Sequence, residues 1–309
     1  MVSPLVRNLR LFMAVSRTSH SILDVATPAL TALVWLGNFP PPSTMVLGLI
    51  TALAGYTAVY ALNDLVDYEV DKERLNKGGP LDPADYLDTV YVRHPVARGL
   101  LTFRKGFLWA CFWASVALIG AYLLNPICAL IFLFAILMET AYCRMAKVSH
   151  LRIIVSGFVK TSGPVAAVFA VDPNPQPLLL SILFLWFFFW EVGGQNIPAD
   201  WFDVDEDRQL GFRTIPARFG LETAGRIILV SIIATLALNI LLFVLLPHRV
   251  SFFSIGGGLV AGFYLLLLPA YNLYKARQPV LVSRLFNRAS FYPLALLAVI
   301  LFDRLFLRT

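Results

Sequence analysis

Most of the residues in this 309-residue chain that could do chemistry sit in two short acidic stretches. The first reads Asn63-Asp64-Leu65-Val66-Asp67-Tyr68-Glu69-Val70-Asp71, and the second Ala199-Asp200-Trp201-Phe202-Asp203-Val204-Asp205-Glu206-Asp207. Both contain DxxDxxxD, so one pattern occurs twice, and residues 64–88 with 200–207 hold 13 of the 19 Asp and Glu residues. Residues four apart on a helix share a face, one turn from each other. Asn63, Asp67 and Asp71 therefore form one oxygen-rich stripe, and Asp203 and Asp207 form another. Like charges at that spacing repel by about 0.2–0.5 kcal/mol per pair on an isolated helix, and a cation removes the penalty. The matched cation is Mg2+, a hard ion usually held by one or two carboxylates together with substrate phosphate. Two clusters point to two or more Mg2+ ions that bridge a diphosphate and absorb the charge developing as it leaves.

Other groups stand close enough in sequence to complete a diphosphate cradle. Arg74 and Asn76 follow the first stretch, and Arg208 and Arg213 follow the second. The run Gly211-Phe212-Arg213-Thr214-Ile215-Pro216 is too polar to cross a membrane and offers Arg213 as a fork for phosphate oxygens. Tyr142 and Lys147 lie in a loop that reaches the same side, and Lys160 sits inside an apolar run, where it needs a partner or water. Trp186, Phe187, Phe188, Phe189 and Trp190 form an aromatic block ahead of the second stretch. Aromatic faces stabilise cations, so the block is read either as a path for an allylic cation or as helix packing and lipid contact.

The elements that must position these groups are membrane helices. Hydrophobic residues make up 58% of the chain and charged ones 14%, against roughly 25% charged in an average soluble domain. Apolar runs approaching the roughly 20 residues needed to span a bilayer recur throughout. Nine candidate spans fall near 20–38, 44–62, 106–124, 126–142, 150–171, 176–197, 222–246, 251–274 and 289–306. The expected fold is an all-α integral membrane protein, nine helices around a central cavity under cytoplasmic cap loops, with residues 1–309 as one domain. The first run has no small-residue cleavage site after it and reads as a retained helix. With the N-terminus inside, 21 of the 25 Lys and Arg residues fall in cytoplasmic segments, which places both Asp motifs on that face. The net charge of +6 is then an orientation signal and a contact with anionic lipid, not a nucleic-acid footprint. Cys111, Cys128 and Cys143 show no metal-ligand spacing and read as small packing residues.

Taken together, the first motif as NDxxDxxxD and the second as DxxDxxxD followed by GxRTxP resemble the UbiA superfamily of intramembrane prenyltransferases. The resemblance covers essentially the whole chain. It implies that Asn63, Asp67 and Asp71 bind one Mg2+ with the diphosphate, and that Asp203 and Asp207 bind another. It also implies that Asn196 lies near the acceptor and that Tyr142 and Lys147 match the Tyr and Lys after the fourth helix. The loops after the motifs are expected to fold as short cap helices over the cavity. One departure stands out. About twenty residues separate Asn76 from Arg93-His94-Pro95, and this insert carries Pro80, Pro83, Asp82, Asp85 and Asp88.

The implied reaction is Mg2+-assisted loss of diphosphate from an isoprenyl diphosphate donor inside a sheltered cavity. An electron-rich acceptor, aromatic (4-hydroxybenzoate-like) or lipid, then attacks. Asp200 and Glu191 are both candidates for the base. Two alternatives keep the acidic clusters: a membrane terpene cyclase with the same metal site, and a transporter for a divalent cation or metabolite. Inverted repeats with broken helices and mid-membrane charge would favour the transporter, whereas both clusters here belong to one face.

Overall fold

A computed structural model of the chain describes residues 4–76, 87, 91–247 and 250–307. Asp82, Asp85 and Asp88 of the insert, with Pro80 and Pro83, lie outside the described residues. Among the described residues the protein is all helix, and eight helical segments are long and apolar enough to cross a membrane. These are Pro42–Val66 (α4), Phe103–Leu124 (α6), Pro126–Arg144 (α7), Arg152–Val171 (α8), Pro177–Phe202, Ile215–Leu245 (α12), Phe252–Ala276 and Pro279–Leu307. The shorter elements are α1 (Pro4–Val15), α2 (Thr18–Asp24), α3 (Ala26–Leu36), α5 (Tyr68–Asn76) and α11 (Val204–Leu210).

The expected span near 20–38 is not among these eight, because there the chain forms two shorter helices, α2 and α3, on either side of Val25. Pro28 accounts for the break, because it lacks an N–H and its ring opposes the carbonyl four residues back, that of Asp24. Elsewhere the punctuation follows capping chemistry. Asn125 joins α6 to α7 and accepts a bond from the Ile127 backbone N–H at 2.9 Å, with Pro126 beginning α7, which satisfies an otherwise orphaned helix donor.

Three features of the fold bear on the site. First, both acidic motifs cross a helix break at their middle aspartate. Asp67 separates α4 from α5 with φ −84° and ψ 1°, and Asp203 separates α10 (Ile197–Phe202) from α11 with φ −92° and ψ 12°. These are bridge-region conformations, common at active-site residues. Second, α9 (Pro177–Trp190) passes into α10 through a π-helical turn, Glu191–Asn196. The turn packs closely against its neighbours: a Cβ on Gly193 would come within 2.7 Å of Ser231 Cβ and 3.0 Å of the Ile228 carbonyl oxygen. Third, the aromatic block of α9 is core. Trp186, Phe187 and Trp190 are buried, and the Trp190 indole donates to the Ala289 carbonyl at 3.0 Å. The carbocation-path reading of that block gives way to the packing one.

Candidate active site

α4, α6, α7, α8 and the π turn enclose a cavity of about 550 Å3, with α3 and α15 (Pro279–Phe302) contributing to its walls. One end carries Asp67, Asp71, Arg74, Arg93, Asp203 and Asp207. Beyond them the walls turn to small residues, among them Ala29, Gly48, Gly55, Ala117, Gly163 and Ala167. Side chains this small leave room for an extended apolar chain between the helices. The aromatic residues on the cavity are Phe39, Tyr56, Tyr60, Phe132, Tyr142, Phe212 and Phe286, none of them from the α9 block.

The helix breaks turn the two motifs toward each other, and arginines bridge them. Arg74, one turn beyond Asp71 on α5, reaches across to the second motif: Nη2 lies 3.1 Å from Asp207 Oδ1, Nε 3.4 Å from Glu206 Oε2, and Nη1 3.7 Å from Asp203 Oδ2. Arg93 Nη2 stands 3.5 Å from the same Asp203 oxygen. Thr214 donates its hydroxyl to Asp207 Oδ2 at 3.0 Å. Burial, with the nearby Asp200 charge, pushes Asp207 up to about 7.

The first motif is held differently. Asn63 Oδ1 accepts from Arg17 at 3.0 Å, while its amide nitrogen donates to Glu139 at 2.7 Å and to Cys143 Sγ at 3.3 Å. His94 Nδ1 sits 2.7 Å from Asp71 Oδ2 and 3.5 Å from Asp64 Oδ1. Burial works against protonated His94, but the Asp71 and Asp64 carboxylates outweigh it and raise the imidazole above its ordinary value. Burial, and then the Asp71 charge, raise Asp67 above the usual carboxylate range.

These donors suit Mg2+. They are carboxylate and amide oxygens, and Asp64 Oδ2 is buried without a hydrogen-bond partner. The ligand atoms of Asp64, Asp71 and His94 lie within 4.8 Å of one another, but an imidazole is a poor ligand for an ion that prefers oxygen. His94 reads better as an anchor for Asp71.

Tyr142 and Asn196 meet on the cavity wall: the Asn196 amide donates to the Tyr142 hydroxyl at 3.0 Å, and Arg152 stacks 4.1 Å over the Tyr142 ring. Asp200 is buried on α10 beside Asp203. Lys160 finds its partner in Asp24, at 2.7 Å, with Tyr60 at 2.8 Å. Two expected cradle residues point elsewhere. Lys147 is exposed and pairs with Glu73 at 2.8 Å, and Arg213 is exposed and donates to the Val148 carbonyl at 3.2 Å. Both sit on the surface around the cap, where a solvated charge costs less than a buried one. From the GxRTxP run it is Thr214 that reaches the site. Arg208 pairs with Asp205 on the surface, and Asn76 is exposed. Sequence reasoning gave no site role to Arg17, Asp64, His94 or Arg152. Basic residues at helix ends read as orientation signals, and His94 lies past the insert.

The UbiA prenyltransferase family model matches residues 25–294, which include both motifs and most of the cavity walls. The chain belongs to this family. Curated relatives include the digeranylgeranylglyceryl phosphate synthases of Thermococcus sibiricus, 25% identical over 75% of this chain and 77% of that one, and of Pyrococcus horikoshii, 24% identical over 88% and 87%. Solved structures with the same fold include a UbiA homologue from Aeropyrum pernix K1 in its apo form, with TM-score 0.72, 19% identity and coverage of 93% of this chain and 98% of that one. Another is a UbiA homologue from Archaeoglobus fulgidus bound to DMAPP and Mg2+, with TM-score 0.65, 17% identity and coverage of 94% and 98%. The protein is thus a UbiA-type prenyltransferase with multiple apolar helices suited to a membrane.

Proposed function

We propose that this UbiA-family enzyme transfers the prenyl group of an isoprenyl diphosphate to a hydroxyl of a glycerol-phosphate lipid, with Mg2+ bound between the two Asp motifs. The observation that carries the donor half is the meeting of both motifs, bridged by Arg74, at one end of a cavity that continues as a channel of small residues. The acceptor half rests on the relatives named digeranylgeranylglyceryl phosphate synthase. A 4-hydroxybenzoate-like acceptor, the aromatic class expected from the sequence, has no comparable support.

Asn63, Asp67 and Asp71 would hold one ion, and Asp203 and Asp207 another. Bound there, Mg2+ supplies Lewis-acid stabilisation of the departing diphosphate. The protein does the rest. Arg74 and Arg93 neutralise the second motif, and they offer planar forks that suit phosphate oxygens once metal has taken over the carboxylates. Arg17 fixes the Asn63 oxygen, whose second lone pair stays free for a metal. The apolar channel keeps water from the ionising carbon. The basic residues on the Asp-motif side favour a cytoplasmic location for that face and for the N-terminus.

The test is diphosphate release by purified protein in detergent, with geranylgeranyl diphosphate, with and without Mg2+. Geranylgeranylglyceryl phosphate or 4-hydroxybenzoate serves as acceptor. Mg2+-dependent transfer to the lipid is expected. Transfer to 4-hydroxybenzoate alone would replace the acceptor, and rapid release without an acceptor would indicate a cyclase. Absence of release with several donor lengths would leave the transporter reading.

A further inference from the structure

The π-helical turn between α9 and α10 carries two hydrogen-bond acceptors that find no donor among the described residues. Glu191 is 6% exposed and Asn196 5% exposed, and both line the cavity. Glu191 Oε2 and Asn196 Oδ1 are buried without hydrogen-bond partners. Leaving such groups unmet costs about 1–3 kcal/mol each, more for a charged one, so a fold that keeps two of them side by side has another use for them. π turns inside α-helices are frequent at functional sites; of the three in the described residues, this one lines the cavity.

The direction of the surrounding bonds shows what is missing. Ser156 Oγ lies 2.6 Å from Glu191 Oε1 and 2.9 Å from Asn196 Nδ2. The carboxylate can only accept, so Ser156 donates to it. The serine oxygen must then accept from the Asn196 amide nitrogen, which also donates to Tyr142. The amide is thereby fixed in one orientation, with Oδ1 left over. The unmet demand on this wall is for hydrogen-bond donors. An acceptor substrate with an O–H group supplies one, whereas a phosphate or carboxylate does not.

Asp200, the other candidate base, is placed differently. It lies one helix turn from Asn196, beside Asp203 and within the field of Arg74 and Arg152, at the end of the cavity that faces the diphosphate. Glu191 lies deeper, with Lys160, Asp24 and His20 around it. A nucleophile must be held against the ionising carbon at a position the diphosphate does not occupy, and this division of the two carboxylates provides one.

We infer that Glu191 is the catalytic base, binding the nucleophilic hydroxyl of the acceptor through Oε2 and taking its proton, with Asn196 Oδ1 receiving a second hydroxyl hydrogen of the acceptor. The donor C–O bond breaks with its electron pair leaving on diphosphate. A lone pair of the acceptor oxygen forms the new C–O bond, and the hydroxyl proton passes to Glu191, which later releases it to water. Ser156 is a positioning residue, since it holds Oε1 and thereby turns Oε2 toward the cavity. This assignment rests on the transferase reading above.

The test compares wild type, Glu191→Gln, Glu191→Asp and Ser156→Ala in detergent. One arm measures single-turnover transfer from geranylgeranyl diphosphate to geranylgeranylglyceryl phosphate or 4-hydroxybenzoate. The other measures Mg2+-dependent binding of geranylgeranyl thiodiphosphate, a slowly ionising donor analogue. Glu191→Gln should lower the transfer rate about 100-fold or more, as expected for loss of a general base, while the analogue binds within about twofold of wild type. Glu191→Asp should recover part of the rate, and Ser156→Ala should lose about tenfold in rate with unchanged analogue binding. Transfer by Glu191→Gln within threefold of wild type overturns the assignment, as does loss of analogue binding in proportion to loss of transfer. Failure of wild type to use either acceptor is a different result and overturns the transferase reading instead.

Discussion

The two Asp motifs share one sequence pattern and one backbone break, yet the protein balances their charge in opposite ways. The second motif is neutralised from outside itself: Arg74 comes from the helix of the first motif and Arg93 from beyond the insert, and both converge on Asp203. The first is held by a hydrogen bond that Arg17 donates to the Asn63 oxygen and by a histidine against Asp71 and Asp64. The difference is instructive because a sequence repeat predicts equal half-sites. Here one half supplies the cation that occupies the other. If Mg2+ binds Asp203 and Asp207 as proposed, Arg74 would be released from those carboxylates and free to meet the diphosphate.

The strongest way to break the comparison is to remove the two bridge-region aspartates separately. Asp67→Ala and Asp203→Ala should each lower kcat/KM for the donor by more than about 100-fold, since loss of a direct metal ligand should exceed the roughly 10- to 100-fold typical of outer contacts. Steady-state diphosphate release measures it. If only one substitution has this effect, the half-sites do not both hold metal.

Arg74 is the next lever. Charge-assisted hydrogen bonds contribute about 1.5–3 kcal/mol, so Arg74→Ala should raise the donor KM by about 10- to 100-fold. Arg74→Lys should rescue it poorly, because an ammonium cannot span two oxygens as the fork does. The same change strands buried Asp207 without its cation, so the metal-free variant should melt below wild type. Mg2+ should restore more of its thermal stability than it adds to wild type, a contrast that thermal unfolding reads directly.

His94→Ala acts on the other half. It leaves Asp71 and Asp64 buried without their partner, a loss of about 1–3 kcal/mol, and should weaken Mg2+ binding by about 5- to 10-fold as Asp71 loses its fixed position. A calorimetric Mg2+ titration in the presence of the thiodiphosphate analogue would show this. An unchanged affinity would mean that His94 only closes the cap.

Much of this organisation could be read before the fold was known, for reasons that explain the exceptions. Apolar runs report membrane helices directly, so eight spans match expectation, and the broken one is explained by Pro28 acting on the carbonyl of Asp24. Carboxylates four residues apart report a shared face, so the motifs stood out. Cations did not sort themselves as clearly. Arg213 stands beside the second motif in sequence but turns outward to the Val148 carbonyl, and Lys147 turns outward to Glu73, whereas Arg152, only five residues beyond Lys147, and Arg17 turn inward. A side chain's direction depends on which helices pack around it, and one-dimensional spacing carries little of that. The partner of Lys160 was hidden for the same reason, since Asp24 lies 136 residues away on the broken span.

The smallest effect separates the halves by pH. Asp207 sits near 7, raised by burial and the Asp200 charge, and Asp67 is raised too. A metal ligand must be deprotonated to bind, so Mg2+ competes with protons below that value and not above it. Apparent Mg2+ affinity should rise with pH and level off above about pH 8, changing by about threefold between pH 6.5 and 7.5 for one carboxyl titrating at 7. Asp207→Asn removes that proton from the second motif while keeping its shape and an oxygen. Any pH dependence that survives then belongs to the other groups of the site, Asp67 and His94 on the first side and Asp200 and Glu206 on the second. A flat profile in Asp207→Asn would assign the whole effect to the second half. An unchanged profile would exclude Asp207 as the source, and adding Asp67→Asn would then show whether the first motif carries it, so proton competition becomes a measure of how unequal the repeated motifs are.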